Sequence, residues 1–498
     1  MSLDRNDLGR VGYTKGKDVA ATQKLFGIIA LAMLIHGFTG TAFAASEGAP
    51  HLNGAELGLL WTVPFVGILL SIAIFPLVAP QFWHHQFGKI SAFWAFLFLI
   101  PFTIFYGYQF ALFELIHVMF LEYIPFIILL LSLFTVAGGV RLKGTLVGGP
   151  VVNTAILLIG TAIASWMGTT GAAMLLIRPL IRANEDRKYK VHTMVFFIFL
   201  VANIGGSLTP LGDPPLFLGF LKGVSFFWPT THMFVPMLVV SSILLVVYYI
   251  LDSFLYIKER NAGNELKTPE PADKEPLAIE GGINILLLGG VIAAVLMSGV
   301  WKPGITFTLY HVDIQLQNVV RDLLLLGLAF LSWRLTSIES RRANGFSWFP
   351  IVEVGKLFAG IFITIVPAIA ILKAGTDGAL EPIVSLVSSN GEPVNAMYFW
   401  ATGILSSFLD NAPTYLVFFN TAGGDAQALM GPMANTLLAI SAGAVFMGAN
   451  TYIGNAPNFM VRAIAEERGI AMPSFFGYMG WSVVFLLPLF VLVTFLFF

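Results

Sequence analysis

Long apolar stretches separated by short polar loops run along the whole chain. Most of them approach the roughly 20 residues that an α-helix needs to cross a bilayer. The pattern predicts about ten to twelve membrane segments, some of them interrupted by proline and glycine. The clearest apolar stretches are residues 57–78, 93–106, 126–140, 233–250, 283–300, 323–335, 351–372 and 475–498.

An earlier apolar stretch, LFGIIALAMLIHGFTGTAFA after Lys24, permits two interpretations. Its short apolar core and its AFA end at residues 42–44 are typical of a cleavable signal peptide. The same stretch is also compatible with an uncleaved first transmembrane helix. Both interpretations place the residues after Ala45 outside the cytoplasm. Residues 1–45 are therefore assigned to a signal peptide or a first transmembrane helix.

The composition supports a membrane protein and disfavours several other classes. The 498 residues are 57% hydrophobic and 11% charged, with a mean hydropathy of +0.82, whereas an ordinary soluble domain is roughly a quarter charged. The absence of cysteine excludes disulfides and thiolate metal ligands. A formal net charge of −1 without a basic stripe gives no sign of nucleic-acid binding. No phosphate-binding loop, HExxH helix or nucleophile elbow occurs in a suitable context, so no enzyme is predicted.

Basic residues are concentrated in alternate loops, which the positive-inside rule places in the cytoplasm. Residues 258–282, with the sequence KERNAGNELKTPEPADKEP, form an extended polar linker that divides the chain nearly in half. The sequence therefore predicts a first repeat over 46–257, a cytoplasmic linker over 258–282 and a second repeat over 283–498. The basic residues of these loops are Arg141, Lys143, Arg182, Arg187, Lys188, Lys190, Lys258, Arg260, Lys267, Lys274, Arg334, Arg341, Arg342, Arg462 and Arg468.

Residues 150–182 predict a hairpin that enters the membrane and returns to the same side. The loops on both sides of this segment look cytoplasmic, so it cannot cross the membrane once. Its centre is polar and rich in glycine, around Gly168, Thr169 and Thr170. Such irregular backbone is tolerated at membrane depth only inside protein or along a cavity. The alternative is a pair of short ordinary spans with an outside turn.

The second half repeats this design at a constant offset of 242 positions. GTTGAAM at 168–174 matches DNAPTYL at 410–416, and GDPP at 212–215 matches GNAP at 454–457. Two independent polar breaks therefore recur with one spacing. Such internal repeats are typical of secondary transporters.

The repeat predicts the remaining elements of the fold. A first broken helix is expected over about 191–220, a second hairpin over about 395–422 and a second broken helix over about 432–464. Counting the membrane crossings places the ends of the two hairpins on opposite sides, which makes the repeats inverted. The predicted fold class is an all-α polytopic membrane protein of two inverted repeats, each with a re-entrant helical hairpin and a broken transmembrane helix.

Asp213 is the carboxylate that the first broken helix brings into the membrane. Prolines and glycines interrupt the helix there, and the interruption leaves backbone groups free to face an ion. A charged aspartate at the bilayer centre costs about 2.5 to 3.5 kcal/mol on insertion scales, so Asp213 is predicted to face a cavity, a cation or a proton. The alternative is a helix N-cap at the membrane surface. The predicted backbone-break residues are Gly205, Gly206, Gly212, Pro214, Pro215, Gly454 and Pro457.

The predicted cation site collects oxygen-bearing side chains from both hairpins and both broken helices. Carboxylate, hydroxyl and amide oxygens are ligands of hard cations, so this set favours Na⁺ or a proton. Asp213, Asp410 and Asn411 are the predicted Na⁺ ligands. Arg178, which closes the first hairpin, either holds a carboxylate substrate or extends its charge to the membrane interface. The predicted cation- and proton-binding residues are Asp213, Asp410, Asn411, Thr169, Thr170, Ser207, Thr209, Asn450, Thr451 and Asn455.

These motifs resemble the ion transporter superfamily. The resemblance rests on polar hairpin tips followed by NIGGSLTPLGDPP in the first half and GANTYIGNAPN in the second, and it extends from about Leu57 to the C-terminus. It points to NhaD-type sodium/proton antiporters or to the CitMHS-like citrate transporter branch. The resemblance implies a multi-pass protein of the bacterial inner membrane, a homodimer, and transport without a cofactor.

The hairpin tips differ from those of the dicarboxylate symporters in this superfamily. Those symporters carry Ser-Asn-Thr, whereas this chain has Gly-Thr-Thr at 168–170 and Asp-Asn-Ala at 410–412. The added carboxylates favour a cation as the substrate. This difference disfavours dicarboxylate binding.

The predicted function is sodium/proton antiport by a secondary transporter. Asp213 and Asp410 alternately hold Na⁺ or a proton, and competition for the carboxylates supplies the coupling. The expected partners are membrane lipids, a small inorganic cation and a proton, with no nucleic acid. The alternative is a proton- or sodium-coupled citrate or dicarboxylate symporter. A third interpretation, a membrane scaffold that transports nothing, leaves the repeated polar breaks without a purpose.

Overall fold

The computed structural model describes residues 52–262 and 275–498. The signal peptide or first helix predicted over 1–45 lies outside these residues. The predicted linker over 258–282 is described only at its two ends. All structural statements below concern the described residues.

Eight helices in the described part of the chain are long and apolar enough to cross a membrane, and two bent helix pairs raise the number to ten. This confirms the predicted all-α polytopic class. Several spans begin well before the apolar stretch that predicted them, because polar residues at the ends of a span remain helical while hydropathy marks only its apolar part. The eight are Leu59–Val78, Pro80–Tyr106, Tyr108–Ala137, Pro150–Met167, Val191–Leu208, Trp228–Asn261, Ile283–Val300 and Leu316–Leu335, and the bent pairs are Phe349–Thr364 with Val366–Lys373 and Phe475–Phe485 with Leu487–Phe497.

Shorter elements connect these spans. The first span begins with a 3₁₀ turn at Leu59–Thr62, and the third contains a π-helical turn at Met119–Tyr123. The shorter helices are Thr169–Ala183, Pro214–Leu221, Ile338–Ala343, Glu381–Val387, Asn395–Phe408, Asn411–Thr421, Ala426–Met430, Ala434–Met447 and Ala456–Glu467, with 3₁₀ turns at Gly54–Glu56, Ile204–Leu208, Gly375–Asp377 and Gly448–Asn450. Three antiparallel two-stranded ribbons pair Arg141–Lys143 with Ala278–Glu280, Thr306–Leu309 with Val312–Gln315, and Ser388–Ser389 with Glu392–Pro393.

The first of these ribbons ties the loop before the first hairpin to the start of the second half. Leu142 lies opposite Ile279, and the Arg141 guanidinium lies 2.9 Å from the Glu280 carboxylate. The hydrogen bond from Arg141 holds the pKa of Glu280 below its ordinary value. A carboxyl whose pKa is lowered by folding stabilises the folded state above its unfolded pKa and loses this effect as the pH falls. The Arg141–Glu280 ion pair therefore stabilises this ribbon near neutral pH and does so less as the pH falls.

Two hairpins and two broken helices follow the 242-residue offset that the sequence shows. In each half a helical hairpin precedes a span that is interrupted near its middle. The first hairpin consists of Pro150–Met167 and Thr169–Ala183, the first broken helix of Val191–Leu208 and Pro214–Leu221, the second hairpin of Asn395–Phe408 and Asn411–Thr421, and the second broken helix of Ala434–Asn450 and Ala456–Glu467.

The broken helices form the centre of the molecule. The apolar window of Val191–Leu208 is 89% buried inside the protein, whereas those of Leu59–Val78 and Pro80–Tyr106 are 33% and 28% buried. In the second broken helix, every residue from Thr436 to Met447 is buried. The outer spans therefore face lipid and the interrupted backbone is enclosed by protein, as the lack of water in a bilayer requires.

A buried ion cluster fixes the base of the first hairpin. Arg187 donates to Asp252 at 2.7 Å and to Glu259 at 2.6 Å. The Asp252 carboxylate also accepts from Asn153 at 3.0 Å and lies 2.9 Å from a ring nitrogen of His192. All five side chains belong to residues that are at most 4% exposed. This hairpin-base cluster joins the first hairpin, the loop behind it, the first broken helix and the long helix that follows.

Candidate functional site

Asp213 lies where the first broken helix stops and restarts. The second segment begins with Pro214 and Pro215, which fit the first turn of a helix but carry no N–H. Asp213 occupies the N-cap position, yet its side chain makes no capping hydrogen bond. The next N–H, that of Leu216, is taken by the Asp213 backbone carbonyl at 3.1 Å. The residue is 1% exposed, so the structure does not support the alternative of a surface N-cap.

Three side chains from three other segments donate hydrogen bonds to the Asp213 carboxylate. Thr169 at the tip of the first hairpin donates to Oδ1 at 3.3 Å, and Asn455 at the second break donates to the same oxygen at 3.0 Å. Asn411 at the tip of the second hairpin donates to Oδ2 at 2.5 Å. The structure thus brings four of the predicted site residues together. The site lies at the junction of the two repeats.

Two further amides, Asn203 and Asn458, extend this network. Asn455 Nδ2 also lies 3.2 Å from Asn203 Oδ1, and Asn203 Nδ2 donates to Asn458 Oδ1 at 2.7 Å. Asn458 in turn donates to the backbone carbonyls of Gly448 at 2.8 Å and Thr451 at 2.9 Å. Because each amide engages the next, the chain of amides orients Asn455 with its N–H towards Asp213.

Asn203 is not in the predicted site, whereas Asn458 belongs with Asn450, Thr451 and Asn455 to the polar set that the sequence offers on the second broken helix. Each carried a signal in the sequence, since a lone amide within an apolar helix costs free energy unless it finds a hydrogen-bond partner. Asn203 stands directly before the Ile-Gly-Gly of the first break, and Asn458 stands just after the second. Both are fully buried.

Asp410 has a different role from Asp213. It is the N-cap of the helix Asn411–Thr421, and its carboxylate accepts a hydrogen bond from the Ala412 N–H at 3.0 Å. Asp410 is half-buried, and no hydrogen bond joins it to Asp213 in the described chain. The carboxylate therefore fixes the start of the helix that presents Asn411. Its predicted role as a Na⁺ ligand stays a prediction.

Two predicted threonines make equivalent contacts in the two repeats. Thr451 Oγ1 donates to the Ser407 carbonyl at 2.5 Å, and Thr209, 242 positions earlier, donates to the Ser165 carbonyl. In both cases the hydroxyl also accepts the N–H two residues ahead, at 3.1 Å in the first repeat and 3.2 Å in the second. These hydroxyls hold each break against its hairpin and do not contact Asp213.

The remaining predicted side chains lie around the site without contacting Asp213. Ser207 donates to the Ile204 carbonyl at 2.8 Å, and Asn450 donates to the Ser407 hydroxyl at 2.9 Å. Thr170 lines the cavity next to Asp213. Ser207 and Asn450 therefore support the breaks, whereas Thr170 is positioned to meet a bound ion or substrate.

A cavity of about 100 Å³ opens beside Asp213. Its polar wall is formed by Asp213, Thr169 and Thr170, and most of the remaining lining is apolar. Next to it, Asn411 Oδ1 is buried and accepts no hydrogen bond from any described residue. A buried carboxylate and a free amide oxygen on adjoining groups are suitable ligands for a hard monovalent cation. The same carboxylate is able to hold a proton.

Close backbone contacts at two equivalent glycines allow the breaks to fold. A Cβ on Gly212 would lie 2.1 Å from the Gly206 carbonyl oxygen, and one on Gly454 would lie 2.6 Å from the Gly448 carbonyl oxygen. At the tip of the first hairpin, Gly168 has a φ of +80°, a conformation that favours glycine. These positions explain why the polar breaks contain glycine.

We expect Gly212→Ala to disrupt the first break. The added methyl group meets a backbone carbonyl that no rotamer change can move, so we expect a loss of about 2 to 3 kcal/mol in stability and strongly reduced transport. The matched control is Gly480→Ala, because a Cβ at Gly480 meets nothing within 4 Å. Unfolding temperature in detergent and transport rate would be compared for both variants. Wild-type behaviour of Gly212→Ala would contradict the close packing of the break.

Comparison with known proteins identifies the family of this chain. The family model described as "Putative citrate transport" matches residues 54–498. The chain belongs to this family. Two proteins named as uncharacterized transporters, from Mycobacterium bovis and Mycobacterium tuberculosis, are each 24% identical over 334 residues, which is 65% of this chain and 71% of each relative. The chain is therefore a transporter and not an enzyme.

Within this transporter family, the charge of the site is informative. No lysine, arginine or histidine side chain hydrogen-bonds to Asp213 in the described residues, and its three side-chain donors are neutral. A buried carboxylate with only neutral donors retains its attraction for a cation or a proton. The site is therefore suited to bind positive charge directly.

Proposed function

We propose that this protein is an ion-coupled secondary transporter in which Asp213 binds and releases the coupling cation. The observation that carries the proposal is a fully buried carboxylate at the junction of two repeats, contacted by the tips of both hairpins and by both breaks. A cation or proton bound there changes the charge at the point where all four segments meet. Binding is thereby able to alter the packing of the segments against each other.

Sodium/proton antiport is the first candidate. A carboxylate does not hold a proton and a metal ion at full strength together, so the two compete. The helix starts at the breaks also favour a cation. Three of the four residues at 214, 215, 456 and 457 are prolines, which lack the N–H groups that would bind an anion at a helix N-terminus. This geometry supports Na⁺ and H⁺ as the exchanged ions.

Coupled transport of citrate or a dicarboxylate is the second candidate. It is favoured by the family description, which is that of citrate transport. In this case Asp213 holds the coupling cation, and the substrate occupies the neighbouring cavity near Thr170. The substrate carboxylates would then meet hydroxyl groups and the bound cation in place of a basic side chain.

A flux experiment on the wild-type protein separates the two candidates. Proteoliposomes with a preset pH gradient would receive NaCl, LiCl, KCl or choline citrate, and proton flux and citrate uptake would be followed together. We expect NaCl or LiCl to dissipate the gradient because cations compete with protons at Asp213. Citrate uptake with no response to the cations alone would overturn antiport and establish the second candidate. Silence towards the three chlorides, and towards choline citrate given with or without NaCl, would contradict both.

A further inference from the structure

Arg178 on the first hairpin makes no ion pair in the described chain. No hydrogen bond or ion pair joins its guanidinium to another described residue, and its Nη1 atom is buried. Gly345 makes room for the group, since a Cβ there would lie 2.1 Å from Arg178 Nη2. A buried guanidinium nitrogen without an acceptor is costly because it has lost water and gained no hydrogen bond. Nη1 therefore lacks an acceptor that a bound ligand is able to supply.

Arg178 also lies in line with the cavity beside Asp213. Thr170, Met174 and Arg178 are four residues apart and share one face of the helix Thr169–Ala183. Thr170 lines the cavity, and Met174 packs with Ile351 and Met460, which also line it. From the hairpin tip to the end of this helix, the cavity comes first. An apolar layer formed by Met174, Ile351 and Met460 follows, and the Arg178 guanidinium lies beyond that layer. The apolar layer separates Arg178 from Asp213.

The charges around Arg178 are mostly positive. Arg182 lies one turn further along the same helix, and Arg468 follows the helix Ala456–Glu467, which packs against the first hairpin. Glu467, at the end of that helix, attracts Arg178, and the two arginines repel it. Arg468, like Arg178, has no ion pair in the described residues. The basic loops at this end place it in the cytoplasm by the positive-inside rule.

We propose that Arg178, Arg182 and Arg468 form a cytoplasmic binding site for a soluble oxyanion, with a di- or tricarboxylate as the preferred class. Arginine forms two parallel hydrogen bonds to a carboxylate, and a ligand with several carboxylates engages more than one guanidinium. The site lies outside the Asp213 cavity, behind the apolar layer. The inference depends on the proposed transport function only for the role of this site, which is to hold an anion at the cytoplasmic end of the protein.

The contact of Arg178 with the loop at Gly345 favours a soluble anion over a lipid phosphate. Its guanidinium lies against the loop at Gly345, and Met174, one turn before it, is buried. A lipid headgroup approaches from the outer surface of the protein, where its chains remain in the bilayer. A free polycarboxylate enters from the cytoplasmic water.

Binding of choline citrate to the purified full-length protein in detergent tests this inference. Calorimetric titrations would be run against choline chloride at equal ionic strength, so that Na⁺ is absent. We expect saturable citrate binding that falls at least about tenfold in affinity in Arg178→Gln and in Arg468→Gln. Arg178→Lys, which keeps the charge but loses the paired hydrogen bonds, should fall in between. Arg334→Gln, an exposed arginine on another helix, should bind as wild type.

The Asp213→Asn variant distinguishes this site from the transport site. Citrate affinity unchanged within about twofold in Asp213→Asn supports a separate anion site, even if the flux experiment fails. Loss of citrate binding in Asp213→Asn would overturn the inference, because the anion would then lie in the Asp213 cavity. Unchanged binding in Arg178→Gln would also overturn it. Thermal stabilisation of the protein by phosphatidylglycerol nanodiscs, with no binding of citrate, would indicate that the arginines bind a lipid phosphate. That outcome would contradict a soluble ligand.

Discussion

Replacing Asp213 by asparagine is expected to lower ion-coupled transport by at least about 100-fold, because the coupling ion loses the charged ligand at the junction of the repeats. The substitution keeps the size of the side chain but removes its charge. It also places an amide N–H opposite Thr169, Asn411 or Asn455, all of which now donate to the carboxylate. Initial rates of cation-dependent proton flux in proteoliposomes would measure the effect.

Two matched variants make this result specific. Asp377→Asn removes an exposed carboxylate and should transport as wild type. Asp410→Asn should cost less than Asp213→Asn, because asparagine caps a helix about as well as aspartate. An unfolding temperature close to that of wild type would show that Asp213→Asn is folded. Near-normal flux in a folded Asp213→Asn protein would refute the assignment of Asp213 as the coupling carboxylate.

Replacing Asp252 by asparagine is expected to destabilise the protein by about 3 to 5 kcal/mol, the cost of breaking a buried ion pair by removing one partner. Arg187 then keeps Glu259 but faces a neutral amide in place of the carboxylate that lies 2.7 Å away. One of the two Asp252 oxygens, which now serve Asn153 and His192 separately, is replaced by an N–H donor. The base of the first hairpin should loosen first. The midpoint of thermal unfolding in detergent would report the change.

The control for this prediction comes from the same loop. Asp186→Asn alters an exposed carboxylate next to Arg187 and should leave the midpoint within the error of wild type. The pair Asp252→Asn and Arg187→Gln should cost less together than the sum of the single changes, because both changes remove the same Arg187–Asp252 ion pair. Equal midpoints for Asp252→Asn and Asp186→Asn would mean that the hairpin-base cluster contributes no stability.

The membrane class and the local elements followed from the sequence because they depend on nearby residues. Hydropathy marks each apolar core, as in Ile283–Val300, where the predicted and observed bounds agree. Prolines and glycines mark the breaks. The start of Pro80–Tyr106 was missed because its first turns contain QFWHHQFGK, which is polar but helical. Polar residues at a membrane surface keep their backbone hydrogen bonds, and hydropathy does not report those bonds.

The roles of individual charges were harder to predict. Arg187 counts as a loop charge in the sequence, but in the structure it is buried against Asp252 and Glu259. Asp213 and Asp410 look alike, as carboxylates beside polar breaks. In the structure Asp410 caps its own helix, while the Asp213 side chain makes no capping hydrogen bond to a helix that starts with two prolines. The sequence left capping open as an alternative for Asp213, and the structure gives a capping hydrogen bond to Asp410 instead.

The sequence by itself determined that this is a polytopic helical membrane protein, where its helices are interrupted, and that two breaks recur at one spacing. These properties are encoded over a few turns of helix, by hydropathy and by the conformational limits of proline and glycine. Only the tertiary structure decided that Asn411 and Asn455 meet Asp213, that Asn203 and Asn458 hold the amide chain, and that Arg178 Nη1 is buried without a hydrogen-bond partner among the described residues. Such contacts join residues up to 255 positions apart, and packing in three dimensions, rather than local propensity, sets them.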